Sequence, residues 1–137
     1  VKLESSAGHG LAIDPSTILW WMQQSDAARQ QTFGGDDRRP LAVAVERFSL
    51  FVEARGKDVA IWGNGATFDN VIIRSAFKAV SLTPPWSFRN DKCYRTVVNL
   101  PGAERVQFVP YGTAHNALDD AIAQALHLQK VYKELKL

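Results

Sequence analysis

A continuous apolar run, Val59-Ala60-Ile61-Trp62, stops abruptly at a turn of small residues, Gly63-Asn64-Gly65-Ala66-Thr67. Four successive apolar side chains leave a strand no wet face, so the run has the pattern of a central strand buried on both sides. Before it, Leu41–Glu53 carries Leu41, Val45, Phe48 and Val52 at helical spacing, with Gly56 placed to end the helix. After the turn, Phe68–Val80 repeats that period through Val71, Ile72, Ser75 and Ala79. Helix, strand, helix in this order implies an α/β layered fold. A chain of 137 residues fits one domain, 1–137, large enough to bury about 70% of its unfolded surface.

Helices fill most of the remainder. Asp14-Pro15 is an N-cap followed by proline at the first helical position, and Ile18, Leu19, Trp21 and Met22 supply an apolar face. Trp20 and Trp21 point about 100° apart, so both cannot occupy the centre of one stripe. One core and one rim tryptophan is the plain reading; a ring offered to a nucleobase is the other, since stacking grips single strands without regard to sequence. Ser25-Asp26 caps a short helix ending near Thr32, and Phe33–Pro40, with two glycines, four charges and a proline, is a flexible loop. Asn90–Leu100 reads as a helix capped by Asn90 or Asp91, Trp86 as the cap of a core edge, and Val106–Val109 as one short strand. The last helix, Ala117–Leu135, has Asn116 as N-cap, Asp119 mimicking a capping box, and a buried face of Leu118, Ala121, Ile122, Ala125, Leu128, Tyr132 and Leu135.

The bulk numbers exclude little. A net charge of +2 is too small to argue for a polyanionic partner, though it is compatible with one. The single cysteine, Cys93, cannot form an internal disulfide and fits a reducing cytoplasm. No apolar run approaches the roughly 18 residues of a membrane span, and no signal-peptide pattern opens the chain. Val1-Lys2-Leu3 alternates like the last residues of a strand, and there is no initiator Met, so upstream material is expected.

The chemistry sits in two places. Asp58–Asn70, DVAIWGNGATFDN, delivers Asp69 where the chain leaves the strand's carboxyl end, the side on which open α/β sheets place ligands. His115–Ala121, HNALDDA, opens the last helix with a loop histidine and with Asp120. Asp119 already has a capping role; Asp120 does not, and an unpaired interior carboxylate is costly. Divalent cations such as Mg²⁺ take carboxylate oxygens, and two of them serve both oxygens of a phosphodiester displacement. His115, with an ordinary pKa near 6.5, suits taking the proton from an attacking water. For each residue a plain alternative stands: Asp69 as a helix N-terminal acid, His115 as a solvated loop residue.

These residues resemble the DEDDh 3′–5′ exonucleases of the ribonuclease-H-like superfamily, in a phage and bacterial branch with exoribonuclease-like members. Asp69 in GNGATFDN lies where the second motif, N-x-x-F-D, places a metal-binding Asp. His115 and Asp120 match the third, H-x-x-x-x-D, as general base and metal ligand. DPSTILWWMQ, Asp14–Gln23, resembles a segment this branch carries after its first strands. The resemblance implies removal of nucleotides from the 3′ end of single-stranded DNA or RNA as nucleoside 5′-monophosphates, with Mg²⁺ or Mn²⁺ in a two-metal site. It further implies substrate contacts from Asn64, Phe68 and, through its ring, Trp20.

One motif of the family has no counterpart. Its opening Asp-x-Glu, which supplies two of four metal carboxylates, occurs nowhere in the chain. The expected architecture is therefore the C-terminal part of a ribonuclease-H-like fold, N-terminally incomplete, with helices packed on a small residual sheet. Two expectations follow: an exonuclease active when the first motif is supplied, or a truncated, catalytically impaired homologue that binds nucleic acid or a partner protein. An unrelated α/β fold, with Asp69 and Asp120 far apart, is a third reading, and homo-oligomerisation stays open.

Overall fold

The computed structural model describes residues 1–34, 37–56, 58–113 and 115–137. The chain is mostly helical, with a small two-stranded parallel sheet. In order, the elements are α1 (Leu3–Gly8), α2 (Pro15–Met22), α3 (Asp26–Phe33), α4 (Leu41–Glu53), β1 (Ile61–Gly63), α5 (Val71–Ala79), β2 (Asp91–Cys93), α6 (Tyr94–Val98) and α7 (Ala117–Leu135). A π-helical turn, Ala66–Asn70, joins β1 to α5. β1 pairs with β2 in the register Ile61 to Asp91, Trp62 to Lys92 and Gly63 to Cys93. A parallel pair needs a crossover, and the π turn with α5 supplies it.

The core forms where α4 and α5 meet the connection to β2. Leu41, Val45 and Val52 of α4 pack with Ala76, Phe77 and Trp86, and Phe77 is wholly buried. Phe48, Phe77 and Trp86 meet edge to face, with centroids 5.5–6.3 Å apart. This geometry suits the aromatic quadrupole and adds about 0.5–1.5 kcal/mol per pair beyond burial. Trp86 therefore lies inside the core and not at its edge. A second packing centre holds α7 to α6 and to the turn Ala103–Arg105, through buried Ala103, Ala123 and Val131.

Side-chain capping sets the start of α2, α3 and α7. Asp14 accepts from the Thr17 amide at 2.9 Å, Ser25 from Ala28 at 3.3 Å, and Asn116 from Leu118 and Asp119 at 3.0 and 3.1 Å. Four sequence expectations are corrected. Val1–Leu3 is not the end of a strand: α1 begins at Leu3, and Ser5 Oγ accepts the Leu41 amide at 2.9 Å, tying α1 to the start of α4. Asn90 and Asp91 cap no helix, because Asp91 opens β2 and its carboxylate is spent on Arg74 and Trp86. Val106–Val109 is not a strand; His127 Nε2 binds the Val106 carbonyl and no ladder forms there. The buried stripe of α7 is Ala123, His127 and Val131, whereas Leu118 is exposed and Ala121, Ala125 and Leu128 line a cavity. The predicted face was turned because His127, polar in the sequence, is buried by satisfying both ring nitrogens. The Phe33–Pro40 loop includes two residues outside those described; within it, Arg38 donates to the Phe33 and Gly34 carbonyls at the end of α3.

One polar network joins the sheet to the core. Arg74 donates twice to Asp91, at 2.9 and 3.0 Å, and Trp86 Nε1 donates to the same carboxylate at 2.8 Å. Burial works to raise the Asp91 carboxyl, but hydrogen bonds from Arg74, Trp86 and Asn70 and the guanidinium charge outweigh it and hold it below the ordinary carboxylate value. A depressed folded pKa stabilises the fold above the unfolded value of about 4 and is lost as pH falls through the folded pKa. Asp91→Asn is thus expected to cost about 2 kcal/mol at neutral pH. It should also remove part of the acid-induced loss of stability, checked by urea unfolding between pH 7 and pH 3.

Candidate functional site

The site begins where β1 ends. Gly63 is buried, and a Cβ there would lie 2.3 Å from Asn70 Oδ1 and 2.9 Å from Asp69 Cβ. Only glycine lets the π turn fold back this tightly on the strand. The π turn sets Asp69 two residues before the start of α5, and its Oδ2 accepts the Gly65 amide at 2.8 Å. The Asp69 carboxylate is thereby held in a small ring at the strand's carboxyl end while the residue stays exposed. Beneath it, Asn70 is 3% exposed and donates through Nδ2 to the Ile61 carbonyl at 3.1 Å. Its Oδ1 has no hydrogen-bond partner among the described residues.

The second part sits at the start of α7. Thr113 donates its amide to Asp119 Oδ2 at 2.8 Å, and Gly112, at φ +61°, wraps the turn around that carboxylate. Asp119 thus reaches back beyond the N-cap, further than a capping box requires. Asp120 is half-buried in the first turn, its amide bonded to the Asn116 carbonyl at 2.9 Å. His115 has φ +65°, a left-handed conformation that costs a non-glycine residue roughly 1–2 kcal/mol. Its exposed ring meets Trp20 edge-on at 5.3 Å and Trp21 at 6.3 Å.

The structure brings some predicted residues together and not others. Trp20 and His115 are in contact, and Trp20 is exposed while Trp21 is half-buried against Phe33. Gly63 and Ala121, the neighbours of the Asp69 ring and of Asp120, line one cavity of about 320 Å³ with Trp62, Tyr94 and Gln124. Phe68 is 67% exposed, so it is not core. Asn64 is half-buried, and its carbonyl accepts the Arg95 amide at 3.1 Å. Among the described residues, no three His, Cys, Asp or Glu side chains cluster to hold a metal ion. Asp69, His115 and Asp120 are therefore not gathered into one metal-binding trio.

The residues that position the site are not those with motif signals. Asn70 followed Asp69 in the sequence without any pattern to mark it, and Asp91 looked like a helix cap. Gly63 alone carried a signal, as a glycine directly after a strand, where close backbone approach is the usual reason.

The 3′–5′ exoribonuclease Rv2179c-like domain matches residues 1–132. The chain belongs to this family, a DEDDh-type, ribonuclease-H-like exonuclease family. Comparison with curated proteins and with solved structures gave no match. No helix among the described residues is long and apolar enough to cross a membrane.

The tight approach at β1 can be tested. Gly63→Ala should push Asp69 and Asn70 outward, cost about 1–3 kcal/mol in thermal or urea unfolding, and lower activity beyond what lost stability explains. Native stability and native turnover in this variant would show that the approach has slack.

Proposed function

We propose that this chain is a metal-dependent 3′–5′ exoribonuclease domain that shortens single-stranded RNA from its 3′ end and releases nucleoside 5′-monophosphates. The observation that carries this reading is the family match over residues 1–132; Asp69, His115 and Asp120, in a spacing that resembles the DEDDh motifs, support it. The exoribonuclease description favours RNA over DNA among the substrates the sequence left open.

The donor set bears on the cation. Asp69 and Asp120 offer hard oxygen ligands, and Mg²⁺ commonly binds through one or two carboxylates completed by water and substrate phosphates. These residues suit one Mg²⁺ or Mn²⁺ finished by the RNA, and they fall short of the preformed two-metal cage. When bound, the cation would supply charge stabilisation to the phosphodiester oxygens. The chain's own residues do the rest. The Gly65 amide fixes one oxygen of Asp69 and leaves the other to face solvent. His115 takes the proton from the attacking water, with the flanking indole of Trp20 limiting where its ring can lie. Trp20 and Phe68 offer exposed aromatic faces to the terminal bases, and Asn64 contacts the terminal nucleotide.

The absence of a three-ligand cluster among the described residues favours one other reading, a catalytically impaired homologue that binds RNA or a partner protein. Two experiments separate them. Asp69→Asn and Asp120→Asn should each abolish Mn²⁺-dependent release of mononucleotides from labelled RNA while leaving the circular dichroism spectrum unchanged. Degradation surviving in both would remove the metal assignment, and RNA binding by the native protein with no release at all would favour the impaired homologue. His115→Ala should lower kcat by about 10²–10⁴ with Mn²⁺ affinity retained, the range for a lost general base; an unaltered kcat would strike it from that role.

A further inference from the structure

The flank of α7 turned away from β1 borders a trench that the catalytic reading leaves unused. Its lower part, about 530 Å³, lies between the Arg105–Val109 segment and α7, and is lined by Arg105, Lys130, Lys133 and Glu134. Its upper part, about 120 Å³, continues along α7 past Tyr111, Leu126 and His127 to Ala123. The two share Gln107, Val109 and Lys130, so they form one path. At the top, the chain runs from Tyr111 into the Gly112-Thr113 turn that is hydrogen-bonded to Asp119, beside Asp120.

Two features of the trench point to its occupant. Three cations line it with a single carboxylate, and that carboxylate, Glu134, lies 3.7 Å from Arg105. This local excess stands out on a chain whose whole net charge is +2. Above the cations, Val109, Tyr111 and Leu126 are each about half exposed, giving an apolar and aromatic wall. Basic groups alternating with exposed aromatic or apolar surface are how proteins hold a single strand, by phosphate pairing and base stacking. One wall of the trench is also tied to α7 by a side-chain hydrogen bond. His127 Nε2 donates to the Val106 carbonyl at 2.9 Å, which leaves Nδ1 to accept from the Tyr94 hydroxyl at 2.6 Å. The Val106 bond fixes the opposite wall to α7, and the Tyr94 bond ties α7 to α6.

We propose that this trench carries the upstream, 5′-ward part of a single-stranded RNA whose 3′ end lies at the start of α7, an inference that rests on the exoribonuclease reading. The rise of about 1.5 Å per residue puts Lys130 about 15 Å and Lys133 about 20 Å along α7 from Asp120. Those distances are beyond the nucleotide being removed, so the contacts serve strand length and not the chemistry.

The test compares the native protein with an Arg105→Gln, Lys130→Gln, Lys133→Gln triple variant, all three positions being clear of the catalytic residues. Binding of a labelled RNA of about eight nucleotides, a length within the usual span of such surfaces, is measured in chelator at several salt concentrations. Release of mononucleotide from a dinucleotide is measured with Mn²⁺. Each lost phosphate contact lowers the salt slope by about 0.7, so a fourfold rise in salt should weaken native binding about 20-fold more than it weakens the variant. The dinucleotide should be cleaved equally by both. Equal affinity and equal slope in the two proteins would overturn the trench while leaving the exoribonuclease reading intact. Salt-sensitive binding lost in the variant, with no cleavage by either protein, would support the trench and remove that reading. An acidic peptide of equal charge binding as tightly as the RNA would overturn the choice of occupant.

Discussion

The Asp91 carboxylate is the point on which the arrangement turns. It accepts from Arg74 of α5, from Trp86 of the core and, by its place in the register, fixes the strand that pairs with Ile61–Gly63. Two strands of three residues cannot hold themselves together in water. Here they are held by side chains: Asp91 from β2 to α5, and Asn70 from the turn to the Ile61 carbonyl of β1. The guanidinium of Arg74 also lies 5.1 Å from the Trp86 ring, so the ion pair and the aromatic core share a residue on each side. Removing one partner would leave the other charge half-buried and unpaired, which is why such a network costs more to break than it contributes when whole.

From that junction the position of Asp69 follows. The π turn inserts one residue relative to an α-helical start, and π turns recur at functional positions because they re-aim a side chain at the cost of local hydrogen bonding. The glycine at the end of β1 permits the approach, and Asn70 seals it from below. The acid belongs to the turn and not to the helix, so its carboxylate is fixed by a backbone amide while staying open to solvent. A helix N-terminal acid acting only on the dipole would need neither the glycine nor the buried asparagine.

How much of this could be read beforehand depended on how local the cause was. Leu41–Glu53 and Ala117–Leu135 were read with their observed limits, because period and caps lie within the segment itself. The strand was placed near Val59–Trp62 as a central one buried on both faces; it is found at Ile61–Gly63 in a two-stranded sheet with Trp62 exposed, because pairing with β2, and not the apolar run, sets its ends and its burial. β2 was missed altogether, since Asp-Lys-Cys has no strand pattern and exists only through its partner. His127 was legible as neither core nor site, because its burial depends on Tyr94 and Val106, both distant in sequence. Asp69, His115 and Asp120 stood out only as motif spacing, and spacing says nothing of how many ligands surround an ion.

The polarity of α7 suits both helix stability and the strand path proposed above, so the charges alone do not separate the two. Asp119 and Asp120 sit at the positive end of the helix dipole and Lys133 at the negative end, each such placement contributing roughly 0.3–1 kcal/mol. An acidic end that attracts a divalent cation and a basic end that attracts phosphate are also what a polyanion needs if it is to lie along the helix with one terminus at the acids. The two accounts separate at Lys130. It is outside the last turn, where the dipole has largely faded, yet it borders both halves of the trench. The helix dipole gives no reason for a cation at that position; the strand path proposed above does.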